Sequence, residues 1–328
     1  MATIIFYESN PNIKEQLEPH FADTSHNCEF VEEPLDVDNL NSKAEVISIF
    51  AGNKISRDLM EKMPNLKLIA CRSTGFDHVD LSAAADLGIT VTNVPRYGEV
   101  TVAEYTIALL LSLSRRLPEG EAAVKAGHIE LENLRGFDLQ GKTLGIIGTG
   151  RIGQHVAKIA RGFDMNIVAY DLYPNPKIAD ELGFQYVSLD EIAQSDIISL
   201  HAPGAPETHH IVNEAFLAHV KPRAVIINTA RGELIDTIAL EQALSQNRLA
   251  GAALDVLEFE PLLSVTDGSG LTPEDQTQWV ALESLKKMPQ VIITPHNAFN
   301  SHEAVGRIQS TTAQNIIDFF NGKTPNKV

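Results

Sequence analysis

At 328 residues, with 44% hydrophobic and 21% charged side chains, the chain has the size and composition for two globular domains with separate cores. Its formal net charge of −17 argues against a nucleic-acid or anionic-membrane partner, since either needs a basic face; an anionic small molecule held by local Arg and backbone N–H groups stays open. Cys28 and Cys71 read as free thiols beside or within strands, and neither a leader-like start nor a run of membrane-spanning length is seen, so a cytoplasmic location is expected.

The first hundred residues alternate apolar strand-like runs with helical patterns. Runs at Thr3–Tyr7, Cys28–Val31, Val46–Phe50, Leu66–Cys71 and Ile89–Val94 are separated by helical stretches at Asn12–His20, Ser56–Met63 and Asp80–Leu87. This rhythm implies βαβ units and a parallel sheet. Glu99–Arg116 is then a long apolar helix, expected between domains, under a subunit interface, or simply in a core. A second helix and a loop follow, from Leu117 to Leu139.

The stretch KTLGIIGTGRIGQHVAKIARGFDMNIVAYD, Lys142–Asp171, carries a strand, a GxGxxG turn, a helix, a second strand and a terminal acid in the order a dinucleotide site requires. Gly148 allows the tight turn, Gly150 lets the backbone approach a pyrophosphate, and Gly153 lets helix and strand pack closely. The free N–H groups at the helix start favour phosphate. Asp171 suits the ribose hydroxyls and would repel a 2′-phosphate, which favours NAD over NADP. Beyond it, strands are expected at Ile197–Leu200, Ala224–Asn228, Gly251–Val256 and Val291–Thr294, giving about six parallel strands. Helices are expected at Leu189–Gln194, Asn213–Val220 and Ile235–Gln246. Leu262–Lys287 reads as a surface excursion with one helix near Gln276–Lys287, anchored by Trp279. The last helix, Ser301–Phe320, follows the final strand of the cofactor sheet and could return to the N-terminal domain.

Arg231, Glu260 and His296 each fall just past a strand of the cofactor domain. Together they suit hydride transfer at a secondary alcohol or ketone: an imidazole as acid–base, a carboxylate to orient and charge it, and a guanidinium fork for a carboxylate. Singly, each has a plainer reading, as a core histidine, a surface arginine or a solvated loop acid. No HExxH, no CxxC and no set with ligand spacing is present, so no metal is expected; His78, His209, His210 and His302 read as surface or structural.

Several segments closely resemble the D-isomer-specific 2-hydroxyacid dehydrogenases. These are RSTGFDHVD at 72–80, VPRYGEVTVAEYTIALLL at 94–111, GTGRIG at 148–153, NTARGELID at 228–236, GAALDVLEFEP at 251–261 and ITPHNAF at 293–299. The likeness spans almost the whole chain. Tyr97 and the long segment between Glu260 and His296 place it nearest the D-lactate dehydrogenase branch. It implies two doubly wound parallel-sheet α/β domains with the active site in the cleft. A flavodoxin-like substrate domain would span 1–99 and 300–328, and a Rossmann NAD-binding domain 100–299.

The resemblance also implies roles. His296 would be the acid–base, Glu260 its partner (with Glu258 the near competitor) and Arg231 the carboxylate clamp. Ser73, Thr74 and Gly75 would hold the carboxylate through backbone N–H groups, with Tyr97 and Phe299 bordering the substrate. Around the cofactor it implies Val102, Gly148, Gly150, Arg151, Ile152, Gly153, Asp171, His201, Pro203, Thr208, Asn228, Thr229, Ala230 and Asp255. Pyruvate is the expected 2-oxo acid and a homodimer the expected assembly. Gly98–Thr101 and Asn300 depart from the branch's pattern and leave substrate size open. The alternatives are a glyoxylate, hydroxypyruvate or branched 2-oxo acid reductase, and an NAD-sensing binding module like the corepressors of this fold.

Overall fold

The β-branched and apolar runs pair throughout in parallel register, forming one five-stranded and one seven-stranded sheet. The computed structural model describes residues 1–50 and 53–328, so the expected strand end at Phe50 is covered, while Ala51 and Gly52 lie outside the described residues. Two units follow from the pattern of contacts: Met1–Gly98 with Asn300–Val328, and Glu99–Phe299.

The first unit holds β1 (Thr3–Phe6), β2 (Asn27–Phe30), β3 (Val46–Ile49), β4 (Leu68–Cys71) and β5 (Thr90–Thr92) in the order β2-β1-β3-β4-β5. That is the flavodoxin-like order. Alternation along each strand feeds two cores. Ile5, Tyr7, Ile47 and Ile69 face one side, with Leu59, Met60 and Ala83 from the helices Arg57–Glu61 and Leu81–Asp86. Ile4, Phe6, Val46 and Leu68 face the other, against Leu17, Phe21, Ala313 and Ile316. The last two belong to the helix His302–Phe320, capped by Ser301 Oγ accepting from Ala304 N at 3.1 Å. Cys28 is half-buried and Cys71 buried, and both are free thiols.

In the second unit the order is β12-β11-β10-β9-β6-β7-β8, with β6 (Thr143–Ile147), β7 (Asn166–Tyr170), β8 (Gln185–Tyr186), β9 (Ile197–Leu200), β10 (Ala224–Asn228), β11 (Leu249–Leu254) and β12 (Val291–Ile293). This is the doubly wound dinucleotide-binding order with a seventh strand at one edge. The sequence shows about six. The short β8 and the helix Pro176–Leu182 before it escape notice because a two-residue strand leaves no periodicity to read.

The helix Glu99–Ser114 packs inside this unit, against the helix Arg151–Arg161 and β10 to β12, with Ala103, Ile107 and Leu110 in the core. Its all-round apolarity is therefore that of a core helix. The helix Leu117–Ala126 buries no residue; Leu117 and Val124 on it, and Ile129 and Leu131 just beyond, stay exposed. The excursion after Glu260 folds back on the unit. Its helix begins at Pro273 with Thr272 as N-cap, and Trp279 donates to Val265 O at 3.0 Å. No helix among the described residues is long and apolar enough to cross a membrane.

Candidate active site

Because the strands of the second unit are parallel, their carboxyl ends share one edge. Gly148, Asp171, His201, Thr229, Asp255 and Thr294 each follow a strand directly on that edge, where ligands bind in such sheets. The switch point of the strand order lies between β6 and β9. There Gly148 has φ +96°, and a Cβ on it would stand 2.5 Å from Ala202 N. A Cβ on Gly153 would stand 2.2 Å from Gly148 O, so the chain's own packing demands both glycines. Gly150 is different: a Cβ there meets nothing within 4 Å. The protein gives no reason for that glycine, whereas a pyrophosphate laid on the start of the helix Arg151–Arg161 does.

Asp171 is fixed for its part. Its Oδ2 accepts from Thr149 N at 2.6 Å and from Thr149 Oγ1 at 2.8 Å, and its Oδ1 accepts from Tyr173 N at 2.9 Å. Arg151 is exposed at the first turn of the helix, paired with Glu99 at 3.1 Å, while Ile152 is half-buried and Val102 buried. Thr229, next to Ala230 and the buried Asn228, shares a hydroxyl hydrogen bond of 2.8 Å with Thr106. Thr208 is buried in a tight turn, its hydroxyl donating to Pro203 O at 2.7 Å.

His296 and Glu260 meet on the same edge: His296 Nδ1 lies 3.1 Å from Glu260 Oε2. The imidazole side chain is 46% exposed and the carboxylate 35%. Glu260 opens a short 3-10 turn, Glu260–Ser264, and its other oxygen accepts from Leu257 N at 3.2 Å. The hydrogen bond to Glu260 holds the His296 pKa above the ordinary imidazole value against partial burial; Asp255 adds to the rise and Arg231 opposes it.

The buried Asp255 builds the His296 segment. One oxygen accepts from Thr294 Oγ1 at 2.6 Å and Asn297 N at 2.8 Å, the other from Ala298 N at 2.8 Å, and its carbonyl accepts from His296 N at 2.9 Å. Phe299 closes the segment, half-buried. Arg231 stands in the loop after β10, its carbonyl accepting from Asn228 Nδ2 at 2.8 Å and its Nη1 donating to Ala230 O at 2.8 Å.

His201 is a second histidine on the edge with a contrary environment. Its Nε2 shares a 2.8 Å hydrogen bond with Ser199 Oγ, and burial pushes its pKa down to about 3. It stays neutral across the working range and cannot serve as the acid.

In the first unit, Ser73, Thr74 and Gly75 turn the chain after β4. Ser73 Oγ donates to Gly75 O at 2.6 Å, Thr74 Oγ1 to Val94 O at 2.8 Å, and Asn93 Nδ2 to Thr74 O at 2.7 Å. Tyr97 is half-buried, its carbonyl accepting from Arg307 Nε at 2.7 Å. Arg72, which the motif RSTG contains but sequence reasoning left without a part, is 1% exposed. Its guanidinium donates to Ser48 O and Glu8 O, both at 3.1 Å, and so ties the carboxyl ends of β1 and β3 to the turn. The signal was an arginine inside an apolar strand context, which must find several acceptors when buried.

Glu258 pairs with His210 at 3.0 Å rather than with His296, and His209 lies against the same carboxylate. The sequence shows no set of ligand-type residues because Glu258 is remote from the two histidines in the chain; the fold alone brings them together.

Fold and edge together define a protein of the dinucleotide-binding α/β class, and comparison with known proteins gives its family. Residues 107–298 match the model of the NAD-binding domain of D-isomer specific 2-hydroxyacid dehydrogenases. A 2-hydroxyacid dehydrogenase homolog of Schizosaccharomyces pombe is 40% identical, with 96% of each chain covered. An aromatic 2-oxoacid reductase of Clostridium sporogenes is 38% identical over 83% of this chain and 82% of that one. A solved structure of D-lactate dehydrogenase from Aquifex aeolicus, complexed with NAD and lactic acid, superposes with a TM-score of 0.86 at 35% identity, covering 97% and 96%.

The chain belongs to the D-isomer-specific 2-hydroxyacid dehydrogenase family; it is an enzyme acting on CH–OH groups with NAD as cofactor. That sets aside the reading as a binding module alone.

The open space at Gly150 yields a sharp expectation. Gly150→Ala, at φ −62°, should keep stability within about 0.5 kcal/mol of wild type. It should nevertheless weaken NADH about tenfold or more, because a methyl group then stands where the pyrophosphate approaches. Thermal unfolding and NADH fluorescence titration check the two halves.

Proposed function

We propose that the enzyme reduces pyruvate to D-lactate, and that His296, Glu260 and Arg231 carry the reaction. The observation that carries this reading is the His296–Glu260 pair at 3.1 Å, whose histidine has a raised pKa, on the ligand-binding edge of an NAD-binding sheet. Gly148–Gly153 and Asp171 would hold NAD, with Val102, His201, Pro203, Thr208, Asn228–Ala230 and Asp255 bordering it, and the bound cofactor would supply or accept the hydride at C2 of the acid.

Since Nδ1 of His296 faces Glu260, Nε2 is the atom that delivers the proton to the carbonyl oxygen in reduction and removes it in oxidation. Glu260 fixes the ring and stabilises the imidazolium between turnovers. Arg231 presents a planar fork to the substrate carboxylate. The first unit is proposed as the substrate domain, and Ser73, Thr74, Gly75, Tyr97 and Phe299 are proposed as substrate-binding residues.

Arg231→Lys is expected to raise KM for pyruvate about tenfold or more while changing kcat less, since an ammonium cannot replace the bidentate contact. Steady-state kinetics at saturating NADH separates the two effects.

Relatives of similar identity act on different acids, so substrate choice rests on the pocket. The aromatic Tyr97 and Phe299 favour a small acid. A panel of pyruvate, phenylpyruvate, 2-oxoisocaproate, glyoxylate, hydroxypyruvate and oxaloacetate, followed by NADH oxidation, tests this. Highest kcat/KM on pyruvate with D-lactate as product supports the reading; preference for another acid reassigns the substrate.

The homodimer is proposed as the family expectation has it, through the long apolar helix, with the exposed Leu117, Val124, Ile129 and Leu131 that follow it as further apolar side chains a second copy could cover. The free thiols Cys28 and Cys71 fit a reducing compartment, the cytoplasm.

A further inference from the structure

Among the described residues, one group of metal-ligating side chains converges: His209, His210 and Glu258, with one ligand atom from each within 4.8 Å of the others. Glu258 Oε1 lies 3.0 Å from His210 Nε2 and 3.9 Å from His209 Nε2. The two imidazoles lie against each other with centroids 4.0 Å apart and planes tilted by 31°. A hydrogen bond to Glu258 needs only one of these rings. The second ring also brings its Nε2 to within 3.9 Å of the same oxygen, so a third ligand-type atom joins the group.

We propose that His209, His210 and Glu258 form a binding site for Zn²⁺. Zinc takes imidazole nitrogen and carboxylate oxygen at about 2.0–2.2 Å, which puts tetrahedral ligand atoms about 3.3 Å apart. The Glu258 oxygen stands 3.0 and 3.9 Å from the two nitrogens, either side of that value, and closing the site asks the two rings to turn until both nitrogens face one centre. Two imidazoles and one carboxylate select zinc and its late first-row neighbours over Mg²⁺ and Ca²⁺, which favour oxygen shells. The fourth position is left to water, reachable because the His209 side chain is 52% exposed.

The scaffold behind the ligands is already set. His209 N donates to Ala205 O at 2.9 Å and His210 N to Glu233 O at 2.8 Å. Glu258 packs over Gly232, where a Cβ would stand 2.3 Å from Glu258 N. Three strand-end loops of the second unit thus meet at the site, and an ion there ties the 205–210 turn to the loop that carries Glu260. The site shares no ligand with the proposed acid–base pair, so it stands or falls independently of the reaction.

The test uses tag-free, chelator-treated full-length enzyme titrated with zinc chloride by calorimetry, with Co²⁺ absorption as the geometric readout. One Zn²⁺ per chain, visible Co²⁺ bands of four-coordinate strength and a zinc-dependent rise in Tm are expected. His209→Asn keeps the His210–Glu258 hydrogen bond and should fold as wild type, yet lose zinc affinity about 100-fold or more and lose the Co²⁺ bands. Ten-fold excess Mg²⁺, a probe concentration set at roughly ten times the metal, should not displace zinc. Absence of zinc binding to the wild type, or undiminished binding to His209→Asn, overturns the site.

Discussion

His296→Ala should lower kcat for pyruvate reduction by about a thousandfold or more, toward the upper end of what a general acid contributes. NADH binding should stay measurable, because none of the glycines or Asp171 is touched. The expectation rests on the environments of the other histidines near that edge. His201, the other histidine there, has its pKa at about 3 and one nitrogen committed to Ser199. His210 is paired with Glu258. Stopped-flow measurement of NADH oxidation and fluorescence titration of NADH together check the loss and its location: near-normal turnover would remove His296 from the acid–base role, while loss of both binding and turnover would indicate a structural effect.

The second large effect is on stability. Asp255→Ala removes a buried carboxylate that accepts from Thr294 Oγ1, Asn297 N and Ala298 N. A buried donor left without an acceptor costs about 1–3 kcal/mol; Ala298 N is buried and the Thr294 and Asn297 donors are half-buried, so a loss of about 2–3 kcal/mol is expected in urea unfolding. The same change loosens the segment that carries His296, because Asn297 N and Ala298 N lose their carboxylate acceptor, while the hydrogen bond from His296 N, at φ +51°, to the carbonyl of residue 255 is kept. Turnover should therefore fall further than the population of unfolded enzyme explains. Asp255→Asn, which keeps one acceptor oxygen, should lose less stability than the alanine, and comparison of the two separates bond loss from charge loss.

The parts of the site that rest on short-range sequence were legible. The glycine turn, Asp171 and the strand-end positions of Arg231, Glu260 and His296 follow from apolar runs and the residues directly after them, and parallel pairing puts those ends on one edge. What escaped depends on contacts remote in the chain. The apolar strand before Arg72 hints at its burial, but the carbonyls of Glu8 and Ser48 that receive its guanidinium could not be read from its own neighbours. The choice of Glu260 over Glu258 came from the resemblance, and its physical basis lies in the backbone: Phe259 at φ +61° turns the chain between them, sending one carboxylate to His210 and the other to His296. The helix Glu99–Ser114 is apolar all round for a reason internal to its own unit, where it lies on another helix and three strands. Apolarity alone does not say which surface covers a helix.

The pH dependence of kcat/KM for pyruvate in wild type and Glu260→Gln tests the central claim most directly. Reduction needs His296 protonated, so the rate should hold at low pH and fall as pH rises through the histidine's raised pKa. Removing the carboxylate removes the main cause of that rise, so in Glu260→Gln the falling limb should move to lower pH and the plateau should drop. An unchanged limb in Glu260→Gln would contradict the account, because the titrating group would then not be the histidine that Glu260 holds.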